Sequence, residues 1–152
     1  MEKKNDEIRG ALQEALAEQA RYVAERPKIE AEGEAALRRL FDIAHGHSGR
    51  CKIIAKFLLG CYNGDRFRFD LTDFRCLDTK QFKDCIAVLK MDAQPKREVH
   101  TFFPNGGKRF EELAKSWRIT DHHLMRLELK KCQERYPPGS RAAAPDDDIT
   151  LC

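Results

Sequence analysis

The 152-residue sequence is most informative in what it lacks. No apolar run approaches the ~20 residues that a membrane span requires, and the longest candidate, Ile53 to Tyr62, is interrupted by Lys56. The opening MEKKNDEIRG has no apolar stretch of the kind a signal peptide carries. A cytoplasmic location without membrane contact is therefore expected. There is no C-x-x-C pair and no H-E-x-x-H, which removes the common zinc signatures. Asn105-Gly106-Gly107 lacks the Gly-x-x-x-x-Gly-Lys-Ser/Thr spacing of a phosphate loop. Asp70, Asp73 and Asp78 are spaced as helix caps rather than as a calcium loop. These absences argue against an enzyme and against a bound cofactor.

Hydrophobic residues make up 41% of the chain and charged residues 35%, which suits one globular domain with appendages. The six cysteines are Cys51, Cys61, Cys76, Cys85, Cys132 and Cys152. Without an export signal they are expected to be thiols, several serving as small apolar side chains on helical faces. The formal net charge is +3, unevenly spread. Residues 1–49 sum to −2, residues 50–118 to +6 and residues 119–152 to −1. A mixed, solvated surface accounts for this pattern, and so does a surface for an anionic partner.

Helical periodicity dominates the chain. Ile8, Leu12, Leu16, Gln19 and Val23 form a thin stripe over residues 4–26, with alanines favouring helix between them. Pro27 is expected to end or kink this arm, because it lacks an N–H and restricts Arg26. The arm can pack on the domain or pair with another copy. A second helix is expected from Ile29 to Ala44, closed by Gly46 in the left-handed conformation. Ser48 caps a third, from Arg50 to Tyr62. Next come an extended segment through Phe67 and Phe69, one helical turn near Leu71 to Cys76, and a helix started by Asp78 and Gln81. Glu98 to Phe103 alternates at period two and can pair with residues 66–69 as a small ribbon. Helices holding Phe110 to Trp117 and Asp121 to Arg135 complete the pattern. The fold class is mostly α, a small helical domain with at most a two-stranded β-ribbon. Three regions follow: an N-terminal helical arm at 1–28, a globular domain at 29–136 and a disordered tail at 137–152. The expected core is Leu37, Leu40, Phe41, Ile54, Phe57, Leu58, Phe82, Ile86, Leu89, Phe110, Leu113 and Trp117.

The candidate sites are few. His45, His47 and Cys51 are the nearest approach to a metal cluster, and a fourth ligand would have to come from His122 or His123. A polar turn beside a half-buried thiol explains the same residues, and no metal site is assigned. Cys51 is also the best-placed nucleophile, since a helix N-terminus lowers a thiol pKa. Nothing local supplies an oxyanion hole or an orienting residue, so no catalytic residue is assigned. Arg50, Lys52, Lys56, Arg66 and Arg68 follow one another along one helix and its exit loop, with Phe67 and Phe69 interleaved with the two arginines of the loop. They are the candidate contacts for nucleic acid or another anionic partner.

The order ALRRLFDIAHGHSGR, FLLGCYN, FDLTDF followed by LD, and FEELAKSW, within Gly33 to Arg118, resembles an uncharacterised bacterial domain family found on plasmids, phages and integrative elements. The resemblance implies a bacterial mobile-element context and no particular activity. Arg66-Phe67-Arg68 departs from the less charged linker of that family, and the cysteine richness is particular to this chain. The expected function is a small non-enzymatic interaction or regulatory protein that binds a protein partner, an inhibitor of a host defence complex being one version. The alternative is a nucleic-acid-binding accessory protein using segment 50–68. A homodimer through the N-terminal helix is compatible with either.

Overall fold

A computed structural model describes residues 1–139 and contains five α-helices, two 3-10 turns and, among those residues, no strand. The helices are α1 (Glu2–Ala44), α2 (Gly49–Tyr62), α3 (Thr79–Asp92), α4 (Gly106–Ser116) and α5 (His122–Arg135). The 3-10 turns are Leu71–Cys76 and Val99–Phe102. The mostly α expectation holds. The ribbon does not form: Val99–Phe102, expected to be a strand, is a helical turn whose Thr101 hydroxyl donates to the Glu98 carbonyl at 2.7 Å. Val99 and Phe103 both point inward from that turn.

Pro27 does not end the first helix. α1 runs unbroken for 43 residues with Pro27 inside it. A proline in a helix interior costs about 3 kcal/mol, partly through the carbonyl four residues earlier that loses its donor. Here that carbonyl belongs to Val23, an exposed residue, so water can satisfy it. The turns on either side are clamped. Arg26 Nε donates to Glu30 at 2.7 Å, Arg26 Nη1 to the Tyr22 hydroxyl at 3.0 Å, and Arg26 Nη2 to the Gln94 carbonyl. Lys96 reaches the second Glu30 oxygen at 3.0 Å. The Arg26 and Lys96 bonds tie the middle of α1 to the segment that follows α3.

The core lies where the last third of α1 packs against α2, α3 and α4. Ala36, Leu37, Leu40, Phe41 and Ala44 of α1 meet Ile54, Ala55, Phe57, Leu58 and Leu59 of α2, with Phe110 and Leu113 of α4. The rings of Phe41, Phe103 and Phe110 stack within 4.4–6.1 Å. Trp117 is half-buried at the edge of this core and its indole N–H donates to the Ala44 carbonyl at 2.7 Å, closing the end of α1.

The inner face expected for α3 is Phe82, Cys85, Ile86 and Leu89; Cys85 is buried as expected, and the rest of the face differs. Cys85, Val88 and Met91 are buried, together with Asp84, whereas Phe82 and Leu89 are 40% and 39% exposed and Ile86 is half-buried. Two contacts set that rotation. Arg39 of α1 grips Asp84 with two hydrogen bonds of 3.0 and 2.8 Å. Met91 lies so close to Gly33 that a Cβ there would sit 2.4 Å from the Met91 Cβ. The two helices therefore approach at a residue without a side chain.

The local start signals form as expected. Ser48 accepts from the Cys51 amide at 3.3 Å, Asp70 accepts from Thr72, and Asp78 with Gln81 makes a reciprocal capping box. Gly46 is not left-handed. The positive-φ residues among those described are Asn105, Arg118 and Gly139. Gly46 serves instead as a gap, since a Cβ there would meet the Cys51 sulfur at 2.6 Å. The tail expected at 137–152 falls largely on residues 140–152, which lie outside the described residues.

Candidate functional site

The five basic residues of segment 50–68 divide into two groups. Arg66 is structural. Its guanidinium donates to Glu111 of α4 at 3.0 Å and to Asp121, the cap of α5, at 2.9 Å. Its carbonyl accepts the His122 amide at 2.8 Å, and the guanidinium lies 4.7 Å from the centre of the Phe67 ring. Tyr62 adds a hydroxyl bond to Glu111 at 3.0 Å. The bonds to Glu111 hold the Arg66 guanidinium firmly protonated, and Arg66 in turn holds the Glu111 carboxyl below its usual range. Burial pushes the Asp121 carboxyl up, but the Leu124 amide and Arg66 outweigh it, so its pKa is also lowered. Arg66 thus pins the loop after α2 to α4 and α5. Arg50 stands at the opposite end of α2 with Asp78 3.8 Å away.

Lys52, Lys56 and Arg68 come together. With Phe69, Asp70, Arg118, Ile119, Thr120 and His122 they line a groove of about 450 Å³ between α2, the 66–70 segment and the α4–α5 turn. Lys52 and Lys56 are one helical turn apart. Lys56 is held by Asp73 at 2.7 Å. Among the described residues, Lys52, Arg68 and Arg118 form no ion pair. Asp70 brings a carboxylate, already accepting from the Thr72 amide and hydroxyl at 2.8 Å each. Those Thr72 bonds, the amide first, lower its pKa. Segment reasoning missed Arg118 and His122, because both enter the groove from a turn about 50 residues further along the chain. The only sequence hint was the basic residue directly after the Trp117 helix end, where Arg118 takes a φ of 51°.

The turn residues do not assemble into a ligand set. His45 Nδ1 is 2.7 Å from the Phe41 carbonyl, His47 is exposed, and the Cys51 sulfur lies 3.1 Å from the Ser48 hydroxyl. That hydroxyl lowers the Cys51 pKa. Among the described residues no three His, Cys, Asp or Glu side chains are placed to hold a metal ion. Cys51, Cys61, Cys76, Cys85 and Cys132 are unpaired. Burial pushes the Cys61 and Cys85 thiols up to about 12.

Two apolar surfaces remain uncovered by the described residues. Residues 1–21 of α1 are exposed throughout, including Ile8, Leu12 and Leu16, and Val23 continues the same stripe. On α5, Leu124, Met125, Leu127 and Leu129 are exposed, as is Tyr136 just beyond it. No helix of the described residues is long and apolar enough to cross a membrane.

Fold and surfaces together define a small helical protein with an unpartnered arm and a cationic groove. Residues 34–118 match the model of a family of unknown function, DUF7673. The match spans more than half of the chain, and the chain belongs to that family. Comparison with curated proteins and with solved structures gives no match. The matched stretch contains the core helices and most of the groove, whereas the exposed part of α1 and all of α5 lie outside it.

Proposed function

We propose that this chain is a small non-enzymatic binding protein that engages a protein partner through the first half of α1. One observation carries the proposal. Ile8, Leu12, Leu16 and Val23 recur along about 16 residues of helix, roughly 24 Å at the α-helical rise, each 58–61% exposed and absent from the core. Burying a large aliphatic side chain is worth about 1.5–3 kcal/mol. Four on one helical stripe fit a groove on another protein or the same stripe of a second copy. A non-enzymatic role agrees with the placement of the reactive groups: the Cys51 thiol faces a serine hydroxyl rather than an imidazole, and His45 is engaged by a backbone carbonyl.

We infer a bacterial, mobile-element setting and cytoplasmic binding from the resemblance to a family of plasmids, phages and integrative elements. There the partner would be a host or element-encoded protein, and inhibition of a host defence complex is one form the activity would take. The test is affinity capture from the native host with the intact chain and with Leu12→Asp/Leu16→Asp, alongside sedimentation equilibrium. A stoichiometric protein held by the wild type and lost with the variant, or a dimer dissociated by it, supports the proposal. Capture unchanged by the variant, in a chain that stays monomeric, overturns it.

A further inference from the structure

The arm leaves the cationic groove without a role, and the groove has a composition of its own. Lys52 and Lys56 descend from α2, Arg68 comes from the extended segment, and Arg118 and His122 come from the α4–α5 turn. Three separate stretches of chain therefore aim basic side chains at one trough. The acidic residues facing them are Asp70, which lines the groove, and Asp73, which holds Lys56. Asp73 is paired with Lys56, whereas Asp70 accepts from the neutral Thr72 groups, keeps its negative charge and, among the described residues, forms no ion pair. That leaves Lys52, Arg68 and Arg118 without an ion pair among the described residues. Like charges gathered at one place oppose folding, and a ligand of opposite charge relieves that repulsion.

The type of anion follows from what else the groove offers. Compact phosphate sites use backbone N–H groups, above all at helix N-termini. The helix that starts at this groove is α5, and its first amides are already taken: Asp121 accepts from the His123 and Leu124 amides at 3.0 and 3.1 Å. A single small phosphate would find no amide cradle at that helix start. What the groove presents is a row of flexible point charges along an open trough, beside Phe69, a half-buried ring braced by Phe57 at 5.7 Å and Phe74 at 4.8 Å. Cationic side chains along a groove with an aromatic wall suit the phosphate backbone of a single strand, which they hold without reading its sequence.

We propose that this groove binds the backbone phosphates of single-stranded nucleic acid through Lys52, Arg68 and Arg118. The contact set excludes Lys56, held by Asp73, Arg66, whose guanidinium is spent on Glu111 and Asp121, and Arg50, which stands beside Asp78 and does not line the groove. The proposal uses a different surface from the arm and stands or falls independently of it.

The experiment is fluorescence anisotropy with the intact chain and a labelled single-stranded DNA or RNA of about 16 nucleotides, across a salt series starting near 50 mM. Tripolyphosphate and poly-glutamate serve as comparison probes. The wild type is expected to bind the strand with an affinity that falls steeply with salt. The triple variant Lys52→Ala/Arg68→Ala/Arg118→Asn is expected to weaken binding at least about tenfold and to flatten the log–log salt slope by about 2 units, near 0.7 per lost contact. Asn is chosen at position 118 because it tolerates the left-handed backbone there. Lys28→Ala/Lys108→Ala, at exposed cations outside the groove, is expected to bind as the wild type does. Leu12→Asp/Leu16→Asp is expected to keep strand binding in full, which separates failure of this proposal from failure of the arm. If the triple variant melts early, Lys52→Glu alone, at an exposed helix position, reads the same loss. Absence of strand binding at low salt, undiminished binding by the triple variant, poly-glutamate binding as tight as the strand, or binding of tripolyphosphate alone would each overturn the proposal.

Discussion

One helix passes through two environments. Both halves of α1 carry apolar side chains at helical spacing: Ile8, Leu12, Leu16 and Val23 in the first, Ala36, Leu37, Leu40, Phe41 and Ala44 in the second. The second set is fully buried, and the first is uncovered. Their glycines show the same division. Gly10 has open space around its missing Cβ, whereas Gly33 is jammed against Met91. The lesson is that periodicity specifies a helix and a face, while burial depends on what the rest of the chain brings to that face. α2, α3 and α4 cover the second half. Nothing among the described residues covers the first, so its helix rests on local propensity and on continuity with the packed half rather than on tertiary packing.

The largest expected difference between the halves is in leucine truncation. Leu40→Ala should cost about 3 kcal/mol, within the range for a buried leucine that leaves a cavity. Leu12→Ala should change stability by less than about 0.5 kcal/mol, as surface substitutions do. Urea unfolding of both variants checks this, and comparable losses would mean that the arm packs on the body.

Arg66 comes next, because it closes the body beyond α1. Arg66→Ala is expected to cost about 2–3 kcal/mol near neutral pH, since it leaves partly buried carboxylates without their cation. The sign of the pH effect follows from Glu111 and Asp121, both held below their ordinary pKa values. Their contribution is complete above the unfolded values of about 4.3 and 3.9 and is lost as pH falls through the lower folded values. The gap between wild type and variant should therefore be wide at pH 7 and narrow toward pH 2–3. A gap that stays constant on acidification contradicts the clamp.

The two glycines give a smaller contrast of opposite sign. Gly33→Ala should destabilise by about 1–3 kcal/mol through overpacking against Met91. Gly10→Ala should raise the helicity of the arm by up to about 1 kcal/mol of local propensity. Circular dichroism with thermal melting reads both. The smallest effect concerns the thiols and leaves stability untouched. Iodoacetamide followed by mass spectrometry should label Cys51, Cys76 and Cys132 before Cys61 and Cys85, because burial pushes the latter pair up to about 12. Early labelling of Cys85 would place α3 in the wrong rotation.

What was legible from sequence was local. Ser48, Asp70 and the Asp78–Gln81 pair could be recognised as helix starts because a cap is a relation between residues two or three apart. The turn at Leu71–Cys76 and the starts of α2 and α5 followed from the same kind of signal, whereas α4 begins at Gly106 without a side-chain cap. The rotation of α3 did not. Phe82, Ile86 and Leu89 offer one apolar face, Val88 and Met91 another, and the choice is made by Arg39 and Gly33 on a distant helix. The continuity of α1 through Pro27 was hidden for a similar reason, since the Arg26 and Lys96 bonds that brace it involve residues about 65 positions apart. The basic segment was visible as composition. Its partition was not, because Glu111, Asp121 and Arg118 reach it from beyond the segment.

The first half of α1 is a helix that the other described residues leave uncovered. Hydrogen–deuterium exchange along α1 tests this most directly. In the dilute chain, amides of residues 5–22 should exchange orders of magnitude faster than those of residues 36–44, whose opening requires loss of the core. Adding the captured partner, or raising the concentration if the chain pairs with itself, should slow exchange selectively in the arm. Uniform protection from residue 5 to residue 44 in the dilute, monomeric chain would contradict it.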